Sequence, residues 1–208
     1  MKRKILLITI TAVFLGSTLY SCNRSVKGKE GNPVSEKITA GSSESGVVSS
    51  QGLVAQLHEA ALAGDLAGVE RALESGADVN GREEEGRTAL MLAAFNGHSK
   101  LVLRLLDAGA AIDRRDLEGR TALLYAATGP FPETVTILLE KGAEPNVVDS
   151  GEHFSPLMHA AAEGNLEVVK ILLEGGSDTA LKDVDGDNAA SFAAKGGHTE
   201  VARYLDSL

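Results

Sequence analysis

Apolar positions along the chain fall into three regimes. Ile5 to Leu19 is a mostly apolar run. Residues 23–52 carry no sustained apolar period. From Leu53 onward, apolar residues return as pairs of short clusters at helical spacing. Leu101, Val102, Leu105 and Leu106 stand at i, i+1, i+4 and i+5, which is one stripe of a helix. A shorter cluster, Leu90-Met91-Leu92-Ala93-Ala94, precedes it behind Thr88, a residue whose hydroxyl suits a helix N-terminus. Asn96-Gly97 separates the two clusters, and Gly109 follows the second, where a left-handed stop conformation is needed. A polar stretch with Asp116 and Gly119 leads to the next cluster. The pattern predicts two short helices and an extended turn.

That unit recurs. The pairs Ala60-Ala61, Ala93-Ala94, Ala126-Ala127, Ala160-Ala161 and Ala193-Ala194 are spaced by 33, 33, 34 and 33 residues. Gly76, Gly109, Gly142 and Gly176 follow the second clusters at steps of 33, 33 and 34. The extra residue falls between Asp149 and Ser155, in a turn. Self-similarity at such a period is the mark of a solenoid, in which each unit buries its apolar face only against its neighbours.

The repeated residues resemble the ankyrin repeat, with its T-P-L-H-x-A-A opening, G-H turn and V-V-x-x-L-L-x-x-G-A second helix. The matches are Ser155-Pro156-Leu157-Met158-His159-Ala160-Ala161, Gly164-Asn165-Leu166-Glu167-Val168-Val169 and Leu105-Leu106-Asp107-Ala108-Gly109-Ala110. The resemblance covers residues 53–208 and implies an all-α solenoid of five helix–turn–helix units with hairpin turns between repeats. The units run at about 53–82, 83–115, 116–148, 149–182 and 183–208, the first and last acting as caps. Stacking of this kind predicts that Leu139→Ala costs ~2–5 kcal/mol.

The first two regimes read differently. Lys2, Arg3 and Lys4 precede the apolar run, which is shorter than the ~20 residues of a membrane span. Leu19-Tyr20-Ser21-Cys22 resembles the lipobox of bacterial lipoproteins. This resemblance implies a lipoprotein-type signal peptide over 1–22, lipid on Cys22, and a chain held in the bacterial cell envelope at the periplasmic face or the cell surface. Asn23 leans toward the outer membrane in a Gram-negative cell. Residues 23–52, rich in Gly, Ser and Lys, read as a flexible tether with a reach of roughly 30 Å.

Composition narrows the chemistry. Of 208 residues, 29 are acidic and 20 are Lys or Arg, a net charge of -9, which disfavours an electrostatic grip on nucleic acid. The single Cys excludes an intramolecular disulfide and a Cys-based zinc site. Asp183-Val184-Asp185-Gly186-Asp187 resembles the start of an EF-hand loop, but the glycine and glutamate that such a loop needs at its sixth and twelfth positions are Asn188 and Ala194. His58, His98, His153, His159 and His198 form no metal-binding spacing. No nucleophile–base order or phosphate loop appears. The expectation is a chain that is not an enzyme, with no cofactor, metal or small-molecule substrate.

The ankyrin resemblance implies a partner protein bound at the turn tips and the concave first-helix face. Carried over by position, these surfaces hold Arg82, Glu84, Glu85 and Arg87, then Arg115, Leu117, Glu118 and Arg120, with Phe95 and Asn96 on the helix face. Phe131, in a Gly129-Pro130-Phe131-Pro132 turn that departs from G-H, joins them. Phe95 and Leu117 stand out as apolar residues ringed by charge, the make-up of interface hot spots. Residues 53–208 hold 26 acidic and 13 basic side chains, which favours a neutral or basic partner. The expected function is a non-catalytic interaction module on an envelope lipoprotein, or alternatively an inhibitor or immunity protein masking an envelope or secreted enzyme.

Overall fold

Among the described residues, short apolar clusters flanked by caps become ten helices. The computed structural model describes residues 49–208, which fall in one compact unit. In chain order the helices are α1 (Ser50–Ala63), α2 (Leu66–Glu74), α3 (Ala89–Phe95), α4 (Ser99–Asp107), α5 (Ala122–Ala127), α6 (Pro132–Glu140), α7 (Pro156–Ala162), α8 (Leu166–Glu174), α9 (Ala189–Lys195) and α10 (Thr199–Asp206). Helix α1 starts three residues ahead of Leu53, capped by the Ser49 hydroxyl. The apolar leader, Cys22 and tether residues 23–48 lie outside the described residues.

Each odd-numbered helix pairs with the even-numbered helix that follows it. The odd helices pack on one another in succession, and so do the even ones. The result is a two-layer stack of five helix pairs. The odd helices begin where a side-chain oxygen receives the orphan N–H of the third helical residue. Thr88, Thr121, Ser155 and Asn188 accept from the amides of Met91, Leu124, Met158 and Ser191 at 3.4, 3.4, 3.3 and 3.0 Å. Pro156 and Pro132 sit in the first turn of their helices, where the missing N–H costs nothing.

The core is a ladder of equivalent positions. Leu57, Leu90, Leu123 and Leu157 are fully buried on the odd helices, and Leu105, Leu138 and Leu172 on the even ones. The repeated alanine pairs at 60–61, 93–94, 126–127 and 160–161 are buried, and their small size lets successive odd helices approach closely. Each buried leucine contributes about 1.5–3 kcal/mol through the surface it removes from water. The stack is therefore held by four successive interfaces of similar make-up between its five pairs.

In the second, third and fifth pairs the turn within the pair is joined to the preceding pair by a ring set over a glycine, while the fourth has Asn165 at that position. The His98 imidazole stands 2.8 Å from where a Cβ on Gly64 would lie, and its Nε2 donates to the Leu62 carbonyl at 3.2 Å. His198 packs on Gly164 in the same way. In the third pair Phe131 occupies the histidine position and its ring covers Gly97, whose φ is +68°. The irregular Gly-Pro-Phe-Pro turn thus keeps the ring-on-glycine contact with a different ring.

Candidate partner-binding surface

Four hairpins connect the five helix pairs, and they are hydrogen-bonded to one another. The Leu117 N–H donates to Glu85 O at 3.1 Å, Ser150 N–H to Glu118 O at 2.8 Å, and Val184 N–H to Glu152 O at 3.1 Å. The hairpins at 83–87, 116–120, 149–154 and 183–187 therefore form one continuous ridge. Inside each of the last three, an aspartate at the start of the turn takes the backbone N–H groups of the tip. Asp116 Oδ1 accepts from Glu118 and Arg120 at 2.9 and 2.8 Å. Asp183 Oδ1 accepts from Asp185 and Asp187 at 3.1 and 2.7 Å. The acidic run at 183–187 is thus a turn built around an inward-facing carboxylate, and among the described residues no cluster of His, Cys, Asp or Glu is arranged to hold a metal ion.

The residues expected to contact a partner divide into two groups. Arg82, Glu84, Glu85, Arg115, Leu117 and Glu118 are exposed along the ridge. Leu117 is 71% exposed and Val184, at the equivalent place two hairpins on, is 53% exposed, so the apolar tips face solvent. Arg87, Phe95, Asn96, Arg120 and Phe131 are only half-buried and make contacts inside the molecule. Arg87 pairs with Glu83 and with Glu85 at 3.5 Å. Asn96 Nδ2 donates to Leu62 O at 2.8 Å. Arg82 donates to the Arg115 carbonyl, and Arg115 in turn to Val148 O at 3.4 Å.

Phe95 meets Tyr125 edge-on, with ring centroids 6.0 Å apart and an interplanar angle of 89°. Tyr125 is the residue that the sequence reading passed over. Its hydroxyl donates to Asp116 Oδ2 at 2.7 Å, and the Arg120 guanidinium lies 4.9 Å from its ring centre. Burial, and next the hydrogen bond to Asp116, push the Tyr125 phenol well above its ordinary value. One unit on from Tyr125, Phe154 packs edge-on against both His159 and Phe192, at 5.5 and 5.0 Å. Burial lowers His159 to about 4, so its ring is neutral near pH 7. A signal for this aromatic row existed: Tyr125, His159 and Phe192 all fill the variable place before the alanine pair.

Chemically, the surface offers apolar tips, charged rims and half-buried aromatic edges, a set suited to gripping a polypeptide. The family model "Ankyrin repeats (3 copies)" matches residues 57–149 and again 131–207. The chain belongs to the ankyrin-repeat family, and its five helix pairs are an all-α ankyrin solenoid, a non-catalytic scaffold.

Among curated relatives, it is similar to Notch-regulated ankyrin repeat-containing protein B of Danio rerio, 41% identical over 63 residues, 30% of this chain and 57% of that protein. The Homo sapiens Notch-regulated ankyrin repeat-containing protein is 40% identical over 63 residues, 30% of this chain and 55% of its own length. The probable E3 ubiquitin-protein ligase XBOS33 of Oryza sativa subsp. japonica is 43% identical over 51 residues, 24% of this chain and 10% of that protein. The chain spans about half the length of the Notch-regulated relatives that it matches.

These relatives correct the envelope reading. They are eukaryotic ankyrin-repeat proteins, and they support an interaction module in place of a bacterial lipoprotein. The assignment of lipid to Cys22, the membrane as a partner, the periplasmic or surface location and the envelope-enzyme inhibitor are withdrawn with it. The physical reason is the poor information content of the pattern. An apolar run ending in a small residue and a cysteine is short and generic, whereas the repeat positions recur in phase five times. Among the described residues, no helix is long and apolar enough to cross a membrane.

Proposed function

We propose that the chain binds a partner protein along the hairpin ridge, with the apolar tips as anchors and the neighbouring charges as a rim. The observation that carries this reading is the pairing of a hydrogen-bonded backbone ridge with Leu117 and Val184 held out from it. A rigid scaffold that presents loop-borne apolar side chains loses little chain entropy on binding. Glu84, Glu85, Arg115 and Glu118 then act as direct rim contacts, with Arg82 fixing the spacing between tips. Arg87, Asn96 and Arg120 shape the ridge through their internal bonds. Phe95 offers a ring edge against Tyr125, and Phe131 anchors the turn between α5 and α6 on Gly97. The units at about 83–115, 116–148, 149–182 and 183–208 each contribute one hairpin to the ridge, and the unit at about 53–82 ends before the first of them.

Affinity capture with the whole chain tests the reading. Leu117→Glu combined with Val184→Glu changes two solvent-facing side chains and leaves the thermal midpoint within a few degrees. A protein captured by the wild type is expected to be lost with the double variant. Retention of every captured protein by the folded double variant would remove the ridge from consideration.

A further inference from the structure

The first two hairpins share a charge arrangement that the last two lack. In the first two, an acid opens the turn and an arginine closes it: Glu83 with Arg87, and Asp116 with Arg120 at 3.0 Å. Asp116 is fully served. Its Oδ2 receives both Arg120 Nε and the Tyr125 hydroxyl, its Oδ1 receives two backbone N–H groups, and its side chain has no exposed surface.

In the third hairpin the opening acid is Asp149 and the closing position is Phe154. Asp149 Oδ1 still receives backbone N–H groups, from Gly151, Glu152 and Phe154 at 3.2, 3.0 and 3.4 Å. Among the described residues, however, no cation pairs with Asp149 or with the exposed Glu152. Asp149 is half-buried, and its Oδ2, which takes no hydrogen bond among the described residues, is not shut away from solvent. The fourth hairpin opens with Asp183, which no cation pairs among the described residues, but it ends in an acid, Asp187, with which Lys195 pairs, and Lys195 lies 5.9 Å from the Phe192 ring centre. Among the described residues, the third hairpin alone combines an opening carboxylate, a closing aromatic residue and no paired cation.

We propose that the third hairpin receives an arginine side chain of the partner protein, its guanidinium set against the Phe154 ring and directed at Asp149 and Glu152. The partner would then supply from outside the group that Arg87 and Arg120 supply within the chain. Charge complementarity and the aromatic face both favour arginine, which pairs with carboxylates in a planar fork and stacks on rings. His159, beside Phe154 and near Asp149, is uncharged at neutral pH and so does not repel the incoming cation. Arg120, whose charge also acts on His159, is already held by Asp116 and Glu118. This inference rests on the protein-binding reading above and names the chemistry of one contact within it.

The test is an amide-resolved NMR titration of the full chain with two short capped peptides, Gly-Ser-Arg-Leu-Ser-Gly and the same peptide with citrulline for arginine. Citrulline keeps the shape of the side chain and removes its charge. Saturable shifts at the amides of residues 149–155 are expected with the arginine peptide, and binding about tenfold weaker with citrulline. Phe154→Arg, which places the arginine within the chain as in the first two hairpins, is expected to abolish the response. Because Phe154 also packs on Phe192, Asp149→Asn serves as a second variant. It keeps the oxygen that accepts the turn amides, loses the charge, and is expected to weaken binding about tenfold. Absence of shifts at 149–155, an equal response to citrulline, or unchanged binding by folded Asp149→Asn overturns the proposal. Any of these outcomes leaves the Leu117 and Val184 capture result untouched, so the two readings fail separately.

Discussion

Leu138 and Leu139 are neighbours in α6 with different surroundings. Leu138 is fully buried among the even helices with Val135, while Leu139 is half-buried and reaches toward Gly175 of the next unit. The repeated Leu-Leu pair marks an apolar edge but does not say which member points at the core. The large cost expected of truncating Leu139 therefore belongs to Leu138. Leu138→Ala is expected to cost ~2–5 kcal/mol, and Leu139→Ala roughly 1–2 kcal/mol. Urea denaturation midpoints at an unchanged slope measure the difference. Equal losses at the two positions would mean that the even helices are rotated from the arrangement described.

His159 makes a second prediction at this scale. Its folded-state value, about 4, lies below the ordinary 6.5, chiefly because burial penalises the charged ring. A group lowered in this way contributes stability that is fully present above its unfolded value. That contribution is lost as pH falls from about 6.5 through about 4. The loss is at most ~3 kcal/mol. His58, lowered by burial while its Nε2 donates to Gly81 O at 3.0 Å, acts in the same direction. Thermal midpoints of the wild type should fall over this window, and those of His159→Gln should fall less. Parallel curves for the two proteins would show that the His159 ring charges without cost.

At the scale of elements, each helix was legible where its signals were local. Thr88, Thr121 and Ser155 cap the helices that their positions imply, and the glycine steps mark the ends of the even helices. Contacts between units were not legible, because the two partners lie about one repeat apart in sequence. Phe131 is an example. Its ring lies on Gly97, 34 residues earlier, and takes the place held by His98 and His198 in their own pairs. Gly97→Ala would bring a methyl group into that ring at a backbone φ of +68°, where L side chains are strained. We expect it to cost more than ~1 kcal/mol in urea denaturation. Phe131→His, which supplies the usual ring, should cost less than Phe131→Ala. The reverse order would deny the ring-on-glycine role. The Phe95–Tyr125 and Phe154–Phe192 contacts escaped the reading for the same reason: they form only when units stack.

For the whole molecule, the described body is quasi-one-dimensional, and its stability is close to a sum of unit and neighbour terms. The repeat period therefore made the architecture plain from sequence, while the address read from the first 22 residues did not survive comparison with relatives. The fold hosts many partners, so function rests on the surface that it presents. The central claim is that the hairpin ridge, and not the outer face of the even helices, is where a partner docks. A photo-crosslinking side chain placed at Leu117 and, separately, at Leu103 of α4, which is 38% exposed, tests it directly. In the cells that make the protein, a discrete adduct is predicted from position 117 and none from position 103. An adduct from position 103 alone, the same adduct from both, or none from either would contradict the account.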